Sequence, residues 1–298
     1  MIRSGERVAF SALFACALLA SGNGVGIRFS NRELAPLWGA CLRFALAGAI
    51  LTTVAAALRL TLPSWRALAN AAMFGILNFT TGFGIFYVAL VHMHAGFGTI
   101  VLGLVPLATL ALSVAWGQER MRAQGLIGVL LAAAGITAMS QTAIQGSLPP
   151  TALVAALISV ASLAQAAVLV RRSPPMHPVT MNAVGMLSSA AVLLLASVLA
   201  DERLAIPRET STWIAIGYLS LAGSGLLFVL YLVMLRHWDA SRAAYVFVLS
   251  PVGAVTLSAW LDDEAIGRWL VLGGLAALAG VYVGALQPRS SLKASPRQ

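Results

Sequence analysis

One cation makes the strongest chemical demand in this chain. Arg43 stands inside the apolar run PLWGACLRFALAGAILTTVAAA, which contains no acidic residue. A guanidinium at membrane depth costs at least about 2.5 kcal/mol even on the lenient insertion scale, so it must face protein or water and find a partner. Two readings stay open. Arg43 pins the surrounding helices through their carbonyls, or it receives the carboxylate of a solute. Counted from Pro36, it lies roughly 10 Å below the outer end of its helix at 1.5 Å per residue. The other groups able to contact a solute are neutral. Asn23, Asn78, Thr80, Thr81, Thr99, Gln165, Ser224, Tyr231, Tyr245 and Ser250 punctuate apolar runs, and Tyr87, Phe86 and Phe247 offer aromatic walls. Several polar groups converging among apolar walls make a small-molecule site, whereas any one alone is equally an interhelical hydrogen bond.

Other chemistry is poorly represented. His92 and His94 are two positions apart, so they do not share a helix face, and no third ligand accompanies them; no metal site is expected. No serine has acidic and histidine partners at matching depth, and no glycine-rich loop joins a strand to a helix, so neither a hydrolase nor a nucleotide site is expected. Cys16 and Cys41 lie within apolar runs and read as small buried hydrophobes. No cofactor is implied and no enzymatic activity is expected. Glu119 and Glu264 fall at equivalent helix ends, where a carboxylate needs compensation from Arg120, Arg122 or Arg268; a structural role is expected there. No Asp or Glu falls in mid-span, which argues against a proton relay built on a buried carboxylate.

The elements that hold these residues are membrane helices. The chain has 298 residues, 59% of them apolar and 10% charged, where a soluble domain carries about a quarter charged. The net charge of +9 comes without a basic cluster, so nucleic acid is not an expected partner and the lipid bilayer is. Breaks at charged and turn-rich segments leave ten runs near the ~20 residues a span needs: 8–27, 36–58, 68–91, 95–116, 123–141, 151–170, 179–199, 212–235, 242–261 and 266–286. The first resembles a signal peptide, but its apolar run continues to Ile27 and nine more follow, so it reads as an uncleaved span. The tail 287–298 reads as disordered. All seven tryptophans, Trp38, Trp65, Trp116, Trp213, Trp238, Trp260 and Trp269, fall at or just outside run ends, where indole prefers to sit.

Arginine and lysine alternate between the two sides. The N-terminus and every second connection carry 13 of them, and the opposite connections carry five: Arg28, Arg32, Arg203, Arg208 and Arg268. The positive-inside rule then puts both termini in the cytoplasm of an inner-membrane, multi-pass protein.

The chain also repeats. Sliding residues 94–140 along by 145 superposes Pro106 on Pro251, Glu119 on Glu264, Gly128 on Gly273 and Gly135 on Gly280, among 12 identities in 47 positions. An offset of 142 aligns the earlier runs, with Pro36 on Pro178 and Asn23 on Gln165. Units of five helices, 8–141 and 151–286, must enter the membrane in opposite senses. Inverted repeats of this kind build many secondary transporters, with the solute site between the halves. Pro106 and Pro251 fall near the centres of matched helices and read equally as hinges or as packing kinks. Gly280 and Gly284 form a small-residue face, for internal packing or for a homodimer.

These segments resemble the drug/metabolite transporter superfamily, specifically its ten-helix EamA-type members. The resemblance rests on LVPLATLALSVAWGQERMRAQGLIGVLLAAAGI (104–136) and LSPVGAVTLSAWLDDEAIGRWLVLGGLAALAGV (249–281), each with a mid-helix Pro, a Glu at the helix end and a following helix with G-x6-G. The Arg of the second helix, Arg43, is present in the first half and replaced by Gly185 in the second. The stretch Ser21, Gly22, Asn23 only partly matches the family's first-helix motif. The resemblance implies a 5+5 inverted all-α fold and a central cavity. It implies transport of small metabolites, often outward, with amino acids, their analogues and drugs as substrate classes. On this reading the chain is an exporter of amino acids or related small metabolites by alternating access. A drug-efflux transporter is the alternative, and a non-transporting structural or receptor protein the alternative of another class.

Overall fold

Apolar runs without internal breakers leave the backbone one way to satisfy its polar groups in lipid, and the chain takes it: every regular element among the described residues is helical. The computed structural model describes residues 4–61, 63–118, 149–238, 246–261 and 267–283, with scattered positions in 123–138 and Ala243. In chain order these form α1 (Ser4–Ser21), α2 (Asn23–Asn31), α3 (Pro36–Ala57), α4 (Trp65–Gly75), a π-helical segment (Ile76–Gly84), α5 (Ile85–Ala89), α6 (Ala95–Leu102) and α7 (Val105–Ala115). Then follow α8 (Pro150–Val170), α9 (Pro178–Leu199), α10 (Thr210–Ser220), a second π segment (Leu221–Leu226), α11 (Leu227–His237), α12 (Val246–Leu261) and α13 (Arg268–Val281).

Stacked end to end, these make seven helices long and apolar enough to cross a membrane. They match the first four and the sixth to eighth expected spans. The ninth and tenth appear as the shorter apolar helices Leu249–Leu261 and Val271–Gly280. Most of the expected fifth, 123–141, lies outside the described residues, as do Glu119, Tyr245, Glu264, Gly284 and the tail 287–298. The tryptophans stand at helix ends as their amphipathic rings require. Trp38 and Trp213 donate their indole N–H to the carbonyls of Ala205 (2.7 Å) and Pro207 (3.0 Å).

The repeat is visible in the backbone. Both ends of α3 and α9 are 142 positions apart, and each helix begins with Pro at its first position, where a missing N–H costs nothing. Each ends in a left-handed residue, Arg59 (φ 49°) and Asp201 (φ 53°), again 142 apart. Matching backbone bonds close both ends: Leu60 N–H to Ala55 O and Glu202 N–H to Ser197 O, both 3.0 Å. α4 and α10 are 145 apart at both ends, and each π segment starts directly after them. The same offsets read from residue identities thus recur in helix bounds, caps and π segments.

α3 and α9, equivalent helices of the two units, share the most extensive contact among the described elements. The end of this contact at Pro36 is fastened by a carboxylate. Ala35 offers no side-chain cap to α3, and Glu202, just past α9, accepts from Leu37 N–H (3.1 Å), Trp38 N–H (2.9 Å) and Ser197 Oγ (2.8 Å). A negative charge also suits the positive end of the helix dipole. Glu202→Ala is expected to lower stability by about 1–2 kcal/mol, the worth of a good cap, measured as thermal unfolding of purified protein. An unchanged unfolding temperature would refute the cap's contribution.

The reciprocal contact runs the other way. Glu33, between α2 and α3, accepts from Arg208 N–H and Glu209 N–H ahead of α10. The Arg208 backbone N–H holds the Glu33 carboxyl below its ordinary value, aided by the Thr212 hydroxyl, Glu209 N–H and the Arg208 charge. A lowered folded pKa means the contribution is complete above the unfolded value, near 4.5, and is lost as pH falls through the folded value. Unfolding temperatures of wild type and Glu33→Gln should therefore differ above pH 4.5 and converge as pH drops below it. Parallel curves over that window would contradict this cap.

Candidate solute site and buried arginine

Two devices break the helices where polar groups collect. The first is Gly22, where the first span is interrupted between α1 and α2. A Cβ there would lie 2.5 Å from the Tyr218 hydroxyl, which itself donates to Leu19 O at 2.6 Å. Ser21 Oγ donates to Ala17 O (2.8 Å) and to Ser250 O (3.2 Å), tying the break to α12. The second device is the pair of π segments. A π turn widens the helix and leaves carbonyls for side chains of neighbouring helices.

In the first π segment those carbonyls serve α8. Ser162 Oγ donates to Leu77 O (2.8 Å), Ser159 to Gly82 O, and Thr81 Oγ1 bonds Leu77 O (3.0 Å) and meets Ser162. In the second they serve the first span and α3. Asn23 Nδ2 donates to Gly223 O at 3.3 Å, and Arg43 reaches the same carbonyl at 2.9 Å. Each π segment is thus held by side chains of the other unit, the first from α8 and the second from α2 and α3.

The two units part at Arg43. Its guanidinium is fully buried, with Nε donating to Ser224 Oγ (2.7 Å) and Nη2 to Gly223 O (2.9 Å) and Asn23 Oδ1 (3.4 Å). Phe44 and Phe83 present ring faces at 5.0 and 5.1 Å. Tyr87 faces the same group closely enough to interact with its charge, while its hydroxyl and Arg43 Nη1 are both buried without a hydrogen bond of ordinary length. At the matched position Gly185 has no side chain, and α9 closes onto Gly75 and Ala71 of α4 by backbone contact instead.

Beside this cluster lies a narrow, partly open cavity of about 30 Å³, room for about one or two waters. Ala20, Asn23 and Gly24 of the first span, Phe83, Phe86, Thr99 and Leu102 line it from the first unit. Leu227, Phe228, Tyr231, Val246, Phe247 and Ser250 line it from the second. Among the described residues, the Tyr231 phenol is the one ionisable group on this wall, and Asn23 joins the wall to Arg43. A larger cavity of about 420 Å³ lies on the other side of Gly22, between α2, α10 and α12, with Phe29, Ile214, Tyr218 and Leu257 among its mostly apolar walls.

The expected contact residues therefore divide. Asn23, Thr99 and Tyr231, with Ser250, Phe86 and Phe247, surround the narrow cavity; Ser224 and Tyr87 surround Arg43. Thr81 turns to α8, Thr80 donates to Ser189 of α9 (2.8 Å), Asn78 is buried in the π segment, and Gln165 is half-buried on α8; none of these lines the cavity. Sequence reasoning missed Phe83, Phe228 and Gly223. The Gly-Ser-Gly at 223–225 was the available signal for the last, since adjacent glycines inside an apolar helix ask for a close approach. Pro106 and Pro251 also diverge: Pro106 begins α7 after a break at Gly103, while Pro251 sits inside the continuous α12. Gly103, bonded to both Thr99 O and Ile100 O, permits the tighter turn; its counterpart at offset 145 is the β-branched Val248. Among the described residues no group of three His, Cys, Asp or Glu approaches metal-binding geometry.

The model of the EamA-like transporter family matches residues 8–141 and again 150–285. The chain belongs to the EamA-like transporter family. This EamA-like protein is 32% identical over 270 residues to the uncharacterized inner membrane transporter YedA of Escherichia coli, a match covering 89% of this chain and 87% of the relative. YedA from two further strains of that species matches equally. A solved crystal structure shares the fold with a TM-score of 0.69 over 95% of this chain and 98% of its own, at 20% identity. The EamA-like chain is thus a multi-pass inner-membrane transporter, working in lipid on a small-molecule solute.

Proposed function

We propose that this transporter exports amino acids or related small metabolites by alternating access. In this reading ten spans form two inverted five-helix units, 8–141 and 151–286, with both termini and the tail 287–298 in the cytoplasm. The observation that carries it is the convergence of Asn23, Thr99, Tyr231 and Ser250 among Phe83, Phe86, Phe228 and Phe247 around one narrow cavity between the units, which must widen in the transport cycle to admit a solute. Neutral hydrogen-bonding groups on aromatic walls suit a small solute with a polar head and an apolar body. The absence of a mid-span carboxylate from the sequence leaves a cationic solute without a partner. Asn78, Thr81, Gln165 and Tyr245 are proposed to contact the solute in another state of the cycle, and Pro106 and Pro251 are the proposed hinges. Glu119 and Glu264 close helix ends, and the face at Gly280 and Gly284 is the proposed homodimer contact.

Efflux from loaded proteoliposomes across amino acids, other small metabolites and dyes tests this reading. Export of at least one small metabolite is the expected result; folded protein that moves none overturns it. Drug efflux is the second reading, favoured by the apolar 420 Å³ cavity between α2, α10 and α12. Movement of the dyes alone would support it.

A further inference from the structure

Among the described residues Arg43 has no anionic partner, and the geometry around it has the form of a carboxylate position. Three observations combine. The guanidinium is fully buried, and among the described residues its hydrogen bonds go to neutral acceptors: Ser224 Oγ, Gly223 O and Asn23 Oδ1. Its Nη1 and the facing Tyr87 hydroxyl are both buried without a hydrogen bond of ordinary length, so donor capacity is concentrated on one edge. The neutral acceptor on that edge, Asn23 Oδ1, is the most loosely held, at 3.4 Å, and Asn23 also lines the narrow cavity.

A carboxylate binds guanidinium best through two parallel N–H bonds from one edge. Here Nε and one Nη2 hydrogen are fixed by the second π segment, which holds the fork still. The remaining Nη2 hydrogen then points to Asn23 Oδ1, and Nη1, beside it on the guanidinium, forms no hydrogen bond of ordinary length. We propose that the transported solute carries a carboxylate, which displaces Asn23 Oδ1 and is taken bidentately by Arg43 with the Tyr87 hydroxyl as a further donor. Asn23 is a neutral placeholder that keeps the site closed when no solute is bound. Gly223 is required beside it, because a Cβ there would fall 2.0 Å from Asn23 Oδ1. The assignment rests on the proposed solute cavity and names the class of solute it accepts.

The test uses 3-phenylpropionate and its uncharged amide, equal in body and different in charge, titrated into the purified full chain by intrinsic fluorescence. The acid is expected to bind at least about 10-fold tighter than the amide, the effect of one charge-assisted contact. Asn23→Asp places a permanent carboxylate against Arg43. It is expected to raise the unfolding temperature by at least about 2 °C and to abolish the preference for the acid. Equal binding of acid and amide by wild type overturns the assignment, as does an Asn23→Asp protein with unchanged or lowered unfolding temperature. Where neither probe binds, the Asn23→Asp unfolding temperature decides by itself. Export of neutral solutes without preference for acids overturns this assignment and leaves the transporter reading standing. An acid preference in binding with nothing exported overturns only the export reading.

Discussion

Gly75→Ala is expected to destabilise the folded protein by about 3 kcal/mol, the upper range for overpacking a closed contact. A Cβ at Gly75 would lie 2.1 Å from Gly185 O and 2.4 Å from Gly185 Cα, so it meets backbone and not a side chain that could turn aside. α4 and α9 would have to separate, taking with them the first π segment that α8 holds. The reverse change is milder. A Cβ at Gly185 finds its nearest atoms, Ala71 O and Gly75 Cα, at 3.1 Å, so Gly185→Ala should cost less. Gly217→Ala, on α10 with nothing within 4 Å of the new carbon, is the control and should be close to neutral. Thermal unfolding of the three purified variants checks the order. Equal behaviour of Gly75→Ala and Gly217→Ala would mean that the α4–α9 contact is not as close as described.

The second large effect separates transport from folding. Arg43→Met is expected to leave the protein folded at wild-type abundance, because an apolar side chain of similar length relieves the burial cost of a cation. Transport per folded molecule should fall about 100-fold, corresponding to the roughly 3 kcal/mol of a strong charge-assisted contact. Size-exclusion profile and unfolding temperature give the first quantity, and proteoliposome efflux of any transported solute gives the second. Loss of folded protein with unchanged transport by the remainder would assign Arg43 to structure alone. Ser224→Ala offers an intermediate case, removing the 2.7 Å acceptor from Nε while keeping the cation in place.

Much of the fold was legible from local chemistry. Pro36 and Pro178, matched by offset, do begin helices of equal length, since proline is suited to a first turn wherever the chain places it. The tryptophans marked helix ends because indole partitions by depth, a property of the residue and the solvent. The π segments were not legible. Nothing in Ile76–Gly84 or Leu221–Leu226 distinguishes a wide turn from an ordinary one, because the widening is maintained by side chains from distant helices, such as Ser162 on Leu77 O and Arg43 on Gly223 O.

The site was legible only as an inventory. Listing polar residues near mid-span gave Asn23, Thr99 and Tyr231 together with Thr81 and Gln165, and depth alone has no means of separating them. Which face of a helix meets the cavity depends on its rotation, and rotation is set by packing against neighbours far away in the chain. Phe83 and Phe228 were overlooked for the same reason: an apolar residue on an apolar helix carries no mark of the wall it forms.

What the sequence by itself determined is the solvent, the repeat and the presence of one cation at depth with no acid in its own span. Those follow from composition, period and residue type, each of which acts over a few turns of helix. Only the tertiary structure decided where that cation points. Gly185 in place of a second arginine lets α9 close against α4, whereas Arg43 holds α3 against the π segment beside Asn23. The difference between a packed contact and a binding position is a matter of which backbone comes within 3 Å of which side chain, and that distance exists only once both units have packed.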